Sequence, residues 1–148
     1  MMSSRSQFQI DIEKFQRFVF EMDDIMEVFI AFAEGKGFRF DYSILSLDEL
    51  ELFIDYLGGD AIEGEMLNRC SRYVGEVFRK NLGGCWDLCL DDQKNINFRL
   101  PVINRFSDLD LDFCPLAVVG NYIIRRKRGL LRGAVEANQD FVSKIKRR

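Results

Sequence analysis

The chain has 148 residues and a mass of 17.3 kDa. That is the length of one domain, and it is enough to bury roughly 68–70% of the unfolded surface without a disulfide or metal staple. It is 47% hydrophobic and 30% charged, with net charge −3, a composition that excludes wholesale disorder. It has no histidine, which excludes Ser-His and Cys-His catalysis, histidine-bound metals and a histidine pH switch.

Residues 10–34 predict one long amphipathic helix. Phe15, Phe18, Met22, Ile25, Phe29 and Phe32 recur at spacings of three and four, with Val19 and Met26 widening the seam. Gly35 and Gly37 stop it. Phe38, Phe40 and Tyr42 then alternate with Arg39 and Asp41, the pattern of a short strand or extended stretch. Ser46-Leu47-Asp48-Glu49 reads as a capping box opening a helix that carries Leu47, Leu50, Phe53, Ile54 and Leu57 and ends at Gly58-Gly59.

A third helix is expected from about Glu63 to Leu82, with Leu67, Cys70, Val74, Val77 and Phe78 on its buried face and Gly83-Gly84 at its end. Gly75 lies near its middle, where glycine costs about 1 kcal/mol relative to alanine. Such a glycine implies the close approach of another backbone. Trp86, Leu88 and Leu90, and then Ile96, Phe98 and Leu100, alternate on either side of Asp91–Asn95. This predicts an antiparallel hairpin bounded by Pro101 or with Pro101 at an edge.

Residues 102–114 carry no clear pattern. From Pro115 a helical period returns through Leu116, Val119, Ile123, Leu130, Ala134, Phe141 and Ile145, interrupted by Gly120, Gly129 and Gly133. Two helices or a kinked one are expected. The sum is a single α+β domain over residues 1–148. It has three N-terminal helices, a small antiparallel sheet built on a hairpin at about 85–103, C-terminal helix or helices, and a basic tail at about 143–148.

Charge is unevenly spread. Residues 1–121 carry −10 and residues 122–148 carry +7. The acidic body either attracts its own basic segment or faces a basic partner. The acidic pI of about 5.1 and the lack of aromatics interleaved with Arg125–Arg128 and Lys144–Arg148 argue against nucleic acid. Arg5, Asp11, Glu13 and Lys14 interrupt the first apolar residues, and the longest apolar run, Val28–Ala33, is far short of the roughly twenty residues of a membrane span. A cytoplasmic protein with reduced thiols and no membrane association is expected.

Three places carry candidate chemistry. Asp108, Asp110 and Asp112 alternate, so on a strand they would share one face as a cation site or acidic contact surface. As an EF-hand loop the run fails, because Phe113 stands where glycine is needed and Val119 where glutamate is needed. Cys70, Cys85, Cys89 and Cys114 lack the paired short spacings of a zinc site, and buried free thiols are the better reading. Glu76 lies four residues after Arg72, three before Arg79 and four before Lys80. It is either a carboxylate base or part of a helix-surface ion-pair ladder, and the ladder explains the residues without chemistry. The paired glycines lack the spacing and the lysine of phosphate loops. No metal or cofactor is expected.

Phe40-Asp41-Tyr42-Ser43, Ser46–Leu50, Tyr73-Val74-Gly75-Glu76-Val77 and Asn81-Leu82-Gly83-Gly84-Cys85-Trp86 follow one another in order. Over roughly residues 40–100 this resembles a group of small uncharacterised bacterial proteins with a D-Y-S-x-x-S-L segment, a Y-x-G-E helix and an N-x-G-G-x-W turn. The resemblance brings no catalytic residues with it. It implies an immunity or accessory protein of a bacterial toxin system. It also sharpens one structural expectation: Gly75 lets the helix approach the hairpin, Trp86 covers the junction, and Glu76 or a nearby carbonyl accepts the indole N–H. Tyr73, Gly75, Glu76, Gly83, Gly84 and Trp86 then form a structural motif.

The expected function is therefore a non-enzymatic protein that masks a basic partner, most concretely a toxin, with Asp108, Asp110 and Asp112 in the contact. The alternatives are a carboxylate-based or metal-dependent hydrolase using Glu76 or the aspartate run, and an oligomeric scaffold built on the Phe15–Phe32 helix. The sequence leaves the oligomeric state open.

Overall fold

Residues Cys70 to Phe78 are all buried, and the helix that carries them is the axis of the fold. The computed structural model describes residues 6–58, 62–90, 97 and 99–142. In chain order these form α1 (Gln7–Phe20), α2 (Met22–Gly35), α3 (Ser46–Leu57), α4 (Gly64–Leu82), β1 (Cys85–Leu88), β2 (Pro101–Asn104), α5 (Pro115–Arg125) and α6 (Leu130–Glu136), followed by a 3₁₀ turn at Gln139–Phe141. This is a single α+β domain, with helices on either side of an antiparallel two-stranded sheet. The expected tail at 143–148 and the turn at Asp91–Asn95 lie outside the described residues.

The helix expected over 10–34 is two helices. Glu21 interrupts it at φ −87°, ψ 0°, and Arg72 of α4 donates to the Phe18 carbonyl at 2.7 Å beside that break. α1 opens on a capping box, with the Ser6 hydroxyl accepting from the Gln9 amide and the Gln9 side chain answering. It buries no residue completely. α2 buries Met22, Met26, Phe29 and Ala33, so its inward seam is turned by one position from the expected one and Phe32 is 43% exposed.

Phe38–Tyr42 forms no strand. Phe40 is buried, Phe38 and Tyr42 are half-buried, and Arg39 and Asp41 are exposed, so the alternation marks an extended inward-facing segment with no ladder partner. The capping box expected at Ser46 does not form, because Ser46 is already the first residue of α3. Ser43 supplies the cap, its hydroxyl accepting from the Ser46 amide at 3.1 Å, while Glu49 turns away to accept from the Arg39 amide.

The hairpin pairs Cys85 with Asn104, Trp86 with Ile103, Asp87 with Val102 and Leu88 with Pro101. The second strand is thus Pro101–Asn104, beyond the expected 96–100, of which Ile96 and Phe98 lie outside the described residues. Pro101 opens the strand, where a missing N–H is tolerated. Val102 and Ile103 are both buried, in different clusters, because the small sheet is covered on both faces and the alternation that marks a half-exposed strand is lost. At the start of β1, Gly84 has φ +95°, and a Cβ there would lie 2.6 Å from the Asn104 carbonyl oxygen. Only glycine fits that turn.

Candidate functional site

Glu76 is 2% exposed. It does not sit in a solvated ladder. Its Oε2 accepts from Arg79 Nε at 2.9 Å and from the Trp86 indole N–H at 2.9 Å, and its Oε1 accepts from a terminal nitrogen of Arg79 at 3.1 Å. The indole lies over Gly75, which leaves no space for a Cβ. What approaches Gly75 is therefore the Trp86 ring and the Pro115 side chain rather than another backbone. Burial raises the Glu76 pKa, but the Arg79 and Trp86 hydrogen bonds outweigh it and hold the carboxyl below its ordinary value. A general base at neutral pH needs an accessible lone pair and a raised pKa. Glu76 has donors on both oxygens and is shifted the other way. The arrangement positions the hairpin on α4.

Arg72, expected to pair with Glu76, turns instead towards α1 and is 4% exposed. Its Nε donates to Asn68 Oδ1 at 2.6 Å, one terminal nitrogen donates to the Phe18 carbonyl, and the guanidinium carbon lies 4.0 Å from the Phe18 ring centroid. Lys80 sits over the Tyr42 ring. Of the three cations expected around Glu76, the structure brings only Arg79 into contact.

The other motif residues meet one another. The Ser46 hydroxyl donates to the Ser43 carbonyl, so the 2.6 Å contact between Ser46 and Tyr73 has Tyr73 as donor. Tyr73 in turn accepts from the Tyr42 amide at 2.9 Å, with the two rings stacked 5.3 Å apart. Burial pushes the Tyr73 hydroxyl up to about 12. Asn81 donates to the Tyr42 and Val77 carbonyls, which secures Tyr42 in its left-handed conformation at φ 66°. Gly83 ends α4 at φ 94°. This network ties the 41–46 segment to α4.

Asp108, Asp110 and Asp112 lie on a loop, not a strand, and all three are exposed. Leu109 between them is 58% exposed. The loop is closed at its base by the antiparallel bridge between Ile103 and Phe113, with both hydrogen bonds at 2.8 Å. Phe106 and Phe113 are buried on Phe78, at centroid distances of 4.8 and 4.3 Å.

The basic C-terminal segment meets carboxylates of α3. Asp55 receives the Tyr122 hydroxyl at 3.0 Å, Arg126 at 2.7 Å and Arg128. Burial raises the Asp55 pKa, and these donors more than reverse it. Glu51, 1% exposed, accepts from the Gly129 and Leu131 amides at 2.9 and 3.0 Å, and so caps α6 from another helix. Arg132 pairs with Asp48 and Glu136. No signal in the sequence linked Glu51 to residues 78 and 80 positions away.

The thiols are dispersed. Cys70, Cys89 and Cys114 are buried, whereas Cys85 is exposed, against the expectation of four buried thiols. Among the described residues no group of three or more cysteines, aspartates or glutamates is arranged to hold a metal ion, and no helix is long and apolar enough to cross a membrane.

No protein family, curated protein or solved structure matches the chain.

Proposed function

We propose that the chain is a non-enzymatic binding protein that masks a basic protein partner, most concretely an immunity-type protein that neutralises a toxin in the cytoplasm. The observation that carries the reading is the loop 105–112, which exposes three aspartates together with Leu109. The bridge at its base and the two phenylalanines packed on α4 preorganise it, which lowers the entropic cost of binding. Carboxylates of this kind steer a cationic partner to the surface, and the exposed Leu109 beside them supplies an apolar anchor. Two further features support the reading. Glu51, Asp55 and Glu76 are all engaged in structural hydrogen bonds, and Arg126, Arg128 and Arg132 are paired within the chain rather than presented to nucleic acid.

The test is comparative capture from the native cell at low and high salt, using the protein and its D108N/D110N/D112N variant. A basic protein retained by the parent, lost by the variant and released by salt is the expected result. Retention of the same proteins by both forms contradicts the reading.

A further inference from the structure

A cavity of about 320 Å³ opens where α1 crosses α4 and the hairpin. Four cations line it, Lys14, Arg17, Arg72 and Arg99, against two acids, Asp11 and Glu21. Both oxygens of Asp11 are committed to Arg99, at 2.8 and 3.1 Å. Among the described residues, Lys14 and Arg17 make no ion pair. The result is a cationic recess in a body whose first 121 residues carry −10.

Arg72 is the unusual member. Its charged head is buried with neutral partners, the Asn68 amide oxygen, the Phe18 carbonyl and, at 3.7 Å, the Met22 sulfur. Among the described residues no carboxylate lies within ion-pair distance of the guanidinium. Glu21 and Glu76 act on it only from further away. A guanidinium does not escape burial by losing its proton. A buried charge without a counter-ion is costly, and it is tolerated where something else supplies the opposite charge.

A second cavity of about 220 Å³ adjoins the first through Phe18, Asn68 and Pro101. The rest of its wall is Gly64, Leu67, Ser71, Trp86, Pro115 and Leu116, with no charged side chain. We propose that this double cleft is a binding site for a small amphiphilic carboxylate. The carboxylate group sits against the Arg72 guanidinium, which lines the cleft, with Arg17 and Lys14 at the rim. The apolar body lies along the Phe18 ring towards Leu67, Trp86 and Leu116. A recess with a few convergent polar groups and an apolar wall is the usual form of a small-molecule site. The cationic lining selects an anion, and the chain's own segment 143–148 carries the wrong sign to fill it. The site is separate from the aspartate loop and does not depend on that loop's function.

Trp86 is the only tryptophan and lines the apolar half, so its fluorescence reads occupancy directly. Octanoate is the probe, with 1-octanol as the neutral analogue and acetate as the anion without a tail. The expected result is a saturable change with octanoate below about 1 mM, binding at least about tenfold weaker for octanol and for acetate, and weakening with added salt. Arg72→Met should abolish binding. Because that variant also removes hydrogen bonds to Phe18 and Asn68, Lys14→Ala combined with Arg17→Ala is the second arm. Both side chains are exposed, so the fold is retained and octanoate affinity should fall several-fold while octanol is unaffected. No saturable change, equal binding of octanol and octanoate, or undiminished octanoate affinity in the double variant overturns the proposal.

Discussion

Gly75→Ala isolates the contact that seats the hairpin on α4. An ideal Cβ at position 75 lies 2.2 Å from both Cη2 and Cζ2 of Trp86 and 3.1 Å from the Pro115 Cγ. Carbon atoms pack at about 3.5–4.0 Å, so the indole has to retreat by roughly 1.3 Å or more. It is not free to do so. Its N–H is held by Glu76 at 2.9 Å, its backbone is in register with Ile103, and its ring meets Phe18 edge-on at 5.0 Å. Alanine in place of glycine stabilises a helix interior by about 1 kcal/mol. Overpacking removes about 1–3 kcal/mol, and breaking the bond to the buried Glu76 carboxylate removes about 1–3 kcal/mol more. The balance is a loss of about 3 kcal/mol, or a fall in Tm of about 6–12 °C for a chain of this size. Thermal unfolding followed by circular dichroism measures it, and Trp86 emission reports whether the ring has moved. In a Trp86→Ala background only the milder approach of Pro115 Cγ remains, so the same substitution should destabilise far less. A rise in Tm of about 2–4 °C for Gly75→Ala alone, the gain from propensity, would refute the packing argument.

Because the folded pKa of Glu76 lies below its ordinary value of 4.5, its contribution to stability is complete above that value and is lost as pH falls through the folded pKa. Urea unfolding across pH 2–7 should show Glu76→Gln less stable than the parent at neutral pH, with the gap narrowing on acidification. A pH-independent gap contradicts this. Glu51→Ala removes the acceptor for the Gly129 and Leu131 amides and should cost about 1–2 kcal/mol, as loss of a helix cap does. Hydrogen exchange should show the lost protection concentrated in α6. Alkylation of the native protein should modify Cys85 first, since it is the exposed thiol and burial pushes Cys70 up to about 12. Peptide mapping that finds Cys70 modified at a comparable rate contradicts the burial described.

Helix ends marked by glycine were legible. Gly58 and Gly83 stop α3 and α4 where the pattern placed them, and the interruption between α5 and α6 falls at 126–129. The break at Glu21 was not, because Phe20-Glu21-Met22 contains neither glycine nor proline and the apolar seam runs through it. The partner at that junction is Arg72, 54 residues from the Phe18 carbonyl it binds. The hairpin was legible but its second strand was not, since burial on both faces removes the alternation that locates a strand. For the same reason the charged residues of α4 were misplaced. A helix enclosed on every side still places arginine and glutamate at positions that look like an outer face, and only tertiary partners reveal that Arg72 and Glu76 are inside. Gly75 was the one local sign of that enclosure. The aspartates could be read as a surface, but the frame that presents them depends on Phe106 and Phe113 packing on Phe78, which is distant in sequence.

Recruitment of a basic protein by the charge of the 105–112 loop, as proposed, would show first in the association rate. With the captured partner in hand, stopped-flow association is measured for the parent and for D108N/D110N/D112N from low to high ionic strength. The variant is expected to fold normally, associate more slowly at low salt, and converge on the parent as the Debye length falls from about 10 Å at 0.1 M towards 3 Å at 1 M. Dissociation should change less than association. Identical association rates and salt dependence for the two proteins would place the recognition surface elsewhere on the molecule.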